Sequence, residues 1–172
     1  ALGLDPPVAV AEYLRGFGGG EGLDLVHLCC LIRCWANITH GPASSTLPFD
    51  TAAAARAIEA HRTGDGGYNT GRGEAHGTVY GSFMAVMAYQ DLRLEVPEPG
   101  RILDCIGSLR AADGGFANQR EVPMGLTPST AAAATLFRHL DCPAPPGLAD
   151  WLLSRCTEQG GFYATPAAPI PD

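Results

Sequence analysis

Apolar positions along the chain recur at helical spacing in two kinds of segment. The first kind, VAVAEYLR, DTAAAARAIEAHR, GRILDCIGSLR and GLADWLLSRC, runs each time into a turn of glycine and an aromatic residue. The second kind begins after a loop of about ten residues: LDLVHLCCLIRCWANI, HGTVYGSFMAVMAYQDL and TPSTAAAATLFRHL. No alternating apolar–polar run of useful strand length occurs, so the pattern predicts helices throughout. Alanine-rich, straight-chain interiors favour the same state. Start signals agree: Asp50 and Thr51 precede the alanine run, Thr127 precedes Pro128, and Pro99-Gly100 and Pro146-Gly147 open the later segments.

The turns are a repeat. Gly66-Gly67-Tyr68 recurs as Gly114-Gly115-Phe116 and Gly160-Gly161-Phe162, with a weaker copy at Gly16-Phe17. The aromatic positions 17, 68, 116 and 162 lie 51, 48 and 46 residues apart, a period that signals an array of repeated units. Seven helices are expected, as three hairpins and one helix whose partner would follow residue 172. The boundaries fall at about 6–48, 49–97, 98–144 and 145–172, the last incomplete, within one domain spanning 1–172. A glycine just past a helix can adopt the left-handed conformation that ends it. A second glycine allows the turn to approach a neighbouring helix, and the aromatic anchors it in apolar surface. The small residues of the second helices suggest an inner layer.

Composition narrows the functional classes. Of 172 residues, 46% are apolar and 17% charged, which points to an extensive interior. Net charge is −7 and all 11 basic residues are arginine, which argues against nucleic acid or an anionic membrane as partner. No apolar run is long enough to span a bilayer. Six cysteines without a CxxC pair read as reduced, core-filling thiols in a cytoplasmic protein. The first methionine is Met84 and the chain stops on PIPD after a glycine turn, so a piece of a longer array is expected.

A fifty-residue repeat of helix, DGGF or DGGY turn and alanine-rich helix resembles the prenyltransferase and squalene-cyclase repeats. The resemblance implies an all-α fold of repeated helical hairpins forming part of an α/α toroid, here an incomplete ring. GFGGGEGLDLVH at 16–27 looks like an early repeat of protein prenyltransferase β subunits. GGYNTGRGEAHGTVYGSFMAVMAY is more specific, through Glu74-Ala75-His76-Gly77. In those subunits the histidine of this motif binds the diphosphate of an isoprenoid donor, a role that falls on His76. The position suits it, because a helix start offers orphan amides and a favourable dipole to an anion. Arg72 is nearby. The family's diphosphate-binding arginine would fall near Gln119, with Arg120 beside it as a substitute. Tyr80, Phe83 and Trp35 are candidates to line an isoprenoid pocket.

The sequence departs from the family at the metal. The β subunits hold zinc with an aspartate and a cysteine two residues apart, and those positions fall near Gly125 and Thr127. Neither side chain can serve, so no zinc site of the protein prenyltransferase kind is expected and no cofactor is evident. The DxDD run of the cyclases is absent too, and Asp172 reads as a helix cap. The expectation is therefore a transferase-like toroid protein binding an isoprenoid diphosphate. The alternatives are a non-catalytic repeat scaffold or ligand-binding module and, more weakly, a carbohydrate-processing α/α barrel using Glu74. Asp24, His27, Cys30 and Cys34 share helical spacing and could face one ion, but they read better as parts of a buried helix. GRGEAHG lacks the Gly-Lys-Ser/Thr of a nucleotide loop. An incomplete ring would expose apolar ends and invite self-association.

Overall fold

The computed structural model describes residues 8–39, 47–158, 160–165 and 168. Among these, seven helices form: α1 (Val8–Arg15), α2 (Leu25–Thr39), α3 (Thr51–Glu59), α4 (Val79–Asp91), α5 (Pro99–Gly107), α6 (Thr127–His139) and α7 (Leu148–Leu153). The expected helices are all present, and the described residues hold no strand beyond isolated bridges. Asp172 lies outside the described residues.

The helices form two ranks. The longer second helices lie side by side, α4 between α2 and α6. The shorter first helices rest on them: α1 and α3 contact α2, while α5 and α7 contact α6. Being flanked on both sides explains the composition of α4, which is apolar all round. Its Ser82, Ala85, Val86, Ala88 and Tyr89 are all buried. Ile58, Ile102 and Ile106 carry the rank of shorter helices into the core without residual exposure. Burial of one such side chain contributes roughly 1.5–3 kcal/mol. The large exposed apolar residues concentrate at the two ends, with Tyr13 69% and Leu153 66% exposed.

The glycine turns differ in detail from the expectation. Glycine does not end the helix: α3 stops at Glu59, capped by Ala60 in right-handed conformation, well before Gly66. Instead Gly66 N–H bonds Thr63 O at 3.0 Å and Thr63 N–H bonds Gly67 O at 3.0 Å. This is a tight hairpin with a left-handed bulge residue, Gly66 at φ 92° and its counterpart Gly114 at φ 90°. The second glycine does serve close approach. A Cβ on Gly67 would collide with Cys105 Sγ, and one on Gly115 would lie 2.5 Å from the Trp151 ring. Tyr68 and Phe116 are wholly buried as anchors, whereas Phe162 remains 44% exposed.

Successive hairpins are bolted together by backbone. Val79 N–H bonds Asn118 O at 3.0 Å, and Thr127 N–H bonds Ala164 O at 2.9 Å. Arg62 and Arg110 each donate through Nη2 to a proline carbonyl ahead of the next helix, Pro97 and Pro146, both at 3.0 Å. The start signals are borne out at Asp50, whose carboxylate accepts from Ala52 N–H at 2.8 Å. Thr127 is already the first helical residue of α6, and its hydroxyl donates to Tyr163 O rather than capping.

Candidate functional site

The course of the GRGEAHG segment is set by Asp65. Its Oδ1 accepts from Thr63 Oγ1 at 2.7 Å, Gly67 N–H at 3.3 Å and Gly77 N–H at 3.0 Å. Burial alone would raise this carboxyl, but the hydrogen bonds from Thr63, Gly77 and Gly67 outweigh it and hold it below the usual carboxylate range. Its other oxygen faces two nitrogen-bearing side chains. His76 Nδ1 and Arg120 Nη2 each lie 3.4 Å from Asp65 Oδ2.

Arg120 belongs to the hairpin of α5 and α6, so two successive repeats supply the pair. Both contacts are longer than the 2.7–2.9 Å of a strong charge-assisted bond. The arginine keeps donors beyond the one that Asp65 engages. The two side chains border a hollow of about 300 Å3 shared with Asn69, Glu74, Thr78 and Glu121. Glu121 is a carboxylate on the same rim as Glu74 that the sequence did not single out.

The start of α4 is not an open anion site. Val79 N–H bonds Asn118 O, Tyr80 N–H bonds Asn118 Oδ1 at 3.0 Å, and Gly81 N–H bonds the Thr78 hydroxyl at 2.9 Å. The amides expected to be orphaned are taken by the next repeat and by the cap. An anion beside His76 would therefore be held by side chains and not by the helix terminus.

Arg72 goes elsewhere. Its Nε lies 3.3 Å from His61 Nε2, and His61 Nδ1 lies 3.1 Å from Asn69 O. The carbonyl fixes the proton on Nδ1, so Nε2 accepts from Arg72. Arg72 and Arg120 occupy equivalent places 48 residues apart, yet only Arg120 meets the His76–Asp65 pair. The three aromatic candidates are dispersed as well. Tyr80 is 44% exposed. Phe83 borders a hollow between α2 and α4, and the buried Trp35 borders a different one with Arg15, Glu21 and Phe49.

The positions matching the family's zinc ligands do not suit the metal. Gly125 has no side chain, and its amide donates to Asp113 Oδ1 at 3.2 Å. Thr127 spends its hydroxyl on Tyr163 O at 2.5 Å. Among the described residues no three or more histidine, cysteine, aspartate and glutamate side chains converge to hold an ion. The reading of His27 as a core residue is corrected: its side chain is 72% exposed and lies 2.8 Å from Asp24. Asp24 caps α2, accepting from His27 N–H at 2.9 Å, because it immediately precedes the first helical residue. The thiols divide too. Cys29 and Cys105 fill core, each pushed up to about 12, chiefly by burial, while Cys30, Cys34 and Cys156 are exposed.

One polar cluster escaped the sequence reading. Glu59 Oε1 accepts from Tyr68 Oη at 2.5 Å and Tyr89 Oη at 2.6 Å, and Glu59 Oε2 accepts from Arg62 Nε at 2.8 Å. Burial opposes the charge on Glu59, but these donors outweigh it and lower its carboxyl. The same burial, reinforced by the carboxylate, raises both tyrosines. The signal available in the sequence was the replacement of phenylalanine by tyrosine in one repeat only. No family model matches the chain, and no curated protein is significantly similar to it.

Proposed function

We propose that the chain is a segment of a prenyltransferase-like α/α toroid that binds the diphosphate of an isoprenoid at the hollow beside His76 and Arg120. The observation that carries the reading is the convergence of these side chains, from successive hairpins, on one carboxylate. Asp65 holds Nδ1 of His76 and leaves Nε2 for a ligand. Arg120 offers a planar fork suited to phosphate oxygens. A histidine and an arginine fixed in this way would take up charge on a departing diphosphate, the electrostatic part of a prenyl transfer. The reading invokes no zinc, because Gly125 and Thr127, at the positions of two of the family's zinc ligands, offer no usable donors.

Calorimetry with farnesyl diphosphate, geranylgeranyl diphosphate and inorganic pyrophosphate tests this. Binding is expected to weaken about tenfold or more in His76→Ala and in Arg120→Ala, about 1.4 kcal/mol each. Arg72→Ala, whose guanidinium serves His61, should bind nearly as the parent does. Absence of heat with all three ligands, or binding indifferent to His76 and Arg120, would overturn the proposal.

A non-catalytic scaffold is the second reading. It is favoured by the filled amides of α4 and by three carboxylates, Asp65, Glu74 and Glu121, beside His76 and Arg120. Loss of binding to all three ligands is its expected result. Either reading, as an incomplete ring, expects association through the apolar ends. Sedimentation should show concentration-dependent assembly, weakened by Tyr13→Glu or Leu153→Glu.

A further inference from the structure

Sulfur is unevenly distributed in this molecule. Of nine cysteine and methionine residues in the chain, five border a single hollow of about 310 Å3 between α2 and α4: Cys29, Cys30, Cys34, Met84 and Met87. The arrangement follows from helical spacing. Cys30 and Cys34 are one turn apart on α2, which places their Cβ atoms about 5–6 Å from each other on one face. Met84 and Met87 are three residues apart on α4, the helix that α2 packs against. Both exposed thiols are thus opposed by two thioethers.

We propose that Cys30, Cys34, Met84 and Met87 form a binding site for monovalent copper, independent of the diphosphate reading. Thiolate and thioether donors are soft and select Cu(I), whereas zinc prefers a set completed by imidazole, carboxylate or further thiolates. The completing groups of that kind on this hollow are Asp91, which Arg33 engages at 2.5 Å, and Cys29, which is buried. Cu(I) binds by displacing one proton from each of the two thiols, giving a complex of net charge −1. Arg33, on the same hollow, places a positive charge beside it. Methionine has three rotatable bonds and adapts to the ion from α4. Cys29 is buried and takes no part; Cys30 and Cys34 are open to solvent.

The test is titration of the reduced full chain with Cu(I) under anaerobic conditions, in competition with bicinchoninate as chromophoric chelator. One Cu(I) per chain should be retained. Cys30→Ser with Cys34→Ser should abolish retention with unchanged circular dichroism, as expected for exposed positions. Met84→Leu with Met87→Leu should keep the stoichiometry and weaken binding about tenfold. X-ray absorption should show sulfur as the only ligand type. Cys142→Ser with Cys156→Ser should change nothing. Failure to retain Cu(I), retention without Cys30 and Cys34, nitrogen or oxygen ligation, or preference for zinc would each overturn the site.

Discussion

The hairpin of α3 and α4 and the hairpin of α5 and α6 share a backbone and differ in chemistry. Each uses an aspartate, Asp65 or Asp113, to tie its second turn glycine to a glycine ahead of the second helix. Each buries an aromatic whose amide is bonded by a hydroxyl, Ser82 for Tyr68 and Thr130 for Phe116. Where the first has Glu59, His61, Tyr68, His76 and Tyr89, the second has Gly107, Leu109, Phe116, Met124 and Phe137. Phe116 and Phe137 meet as rings with centroids 5.8 Å apart, while Tyr68 and Tyr89 meet through a carboxylate. The shared residues therefore build the unit. The differing ones place polar side chains in the first hairpin where the second has apolar ones or glycine.

The comparison breaks hardest at the glycines common to both. Gly115→Ala drives a Cβ to 2.5 Å from the Trp151 indole, a rigid neighbour, and should cost about 3 kcal/mol in chemical denaturation. Gly67→Ala meets Cys105 Sγ and also the Gly77 Cα at 3.1 Å, and should cost about 2 kcal/mol. Adding Cys105→Ala should restore part of the second loss, a positive coupling in a double-mutant cycle. Additive losses would mean that the backbone contact alone decides.

Next come the polar additions. Glu59→Ala leaves the largely buried Arg62 and two tyrosine hydroxyls without their acceptor, for a loss of about 2 kcal/mol. Tyr68→Phe copies the later repeat and should cost only about 1 kcal/mol. A larger loss would show that the two cores are not interchangeable.

Acid sharpens the same contrast. Glu59 and Asp65 both titrate lower in the fold than in the unfolded chain. Their stabilisation is complete above about pH 5 and is lost as pH falls through about 4 and below. Glu59→Gln with Asp65→Asn should flatten that acid limb in thermal melts, whatever they do to stability at neutral pH. The smallest effect is expected at Tyr80→Ala, within about 0.5 kcal/mol, because the side chain is substantially exposed.

Sequence alone determined the helices, their number and the repeat, because apolar period and recurring glycine–aromatic turns are local signals. It located the turn at Gly66-Gly67 and the close approach that a second glycine allows. It did not show that the turn is a bulged hairpin, since both conformations ask for the same glycine. It singled out His76, Arg72 and Arg120 as a set, but only packing between repeats could separate Arg120, which meets Asp65, from Arg72, which meets His61. The helix start at Thr78 looked open to an anion because Asn118, forty residues on, fills it. Cys30 and Cys34 were legible as a pair on one face; that Met84 and Met87 oppose them is a property of how α2 rests on α4. Periodicity specifies what each segment becomes, and partners distant in the chain are specified only when the segments are packed.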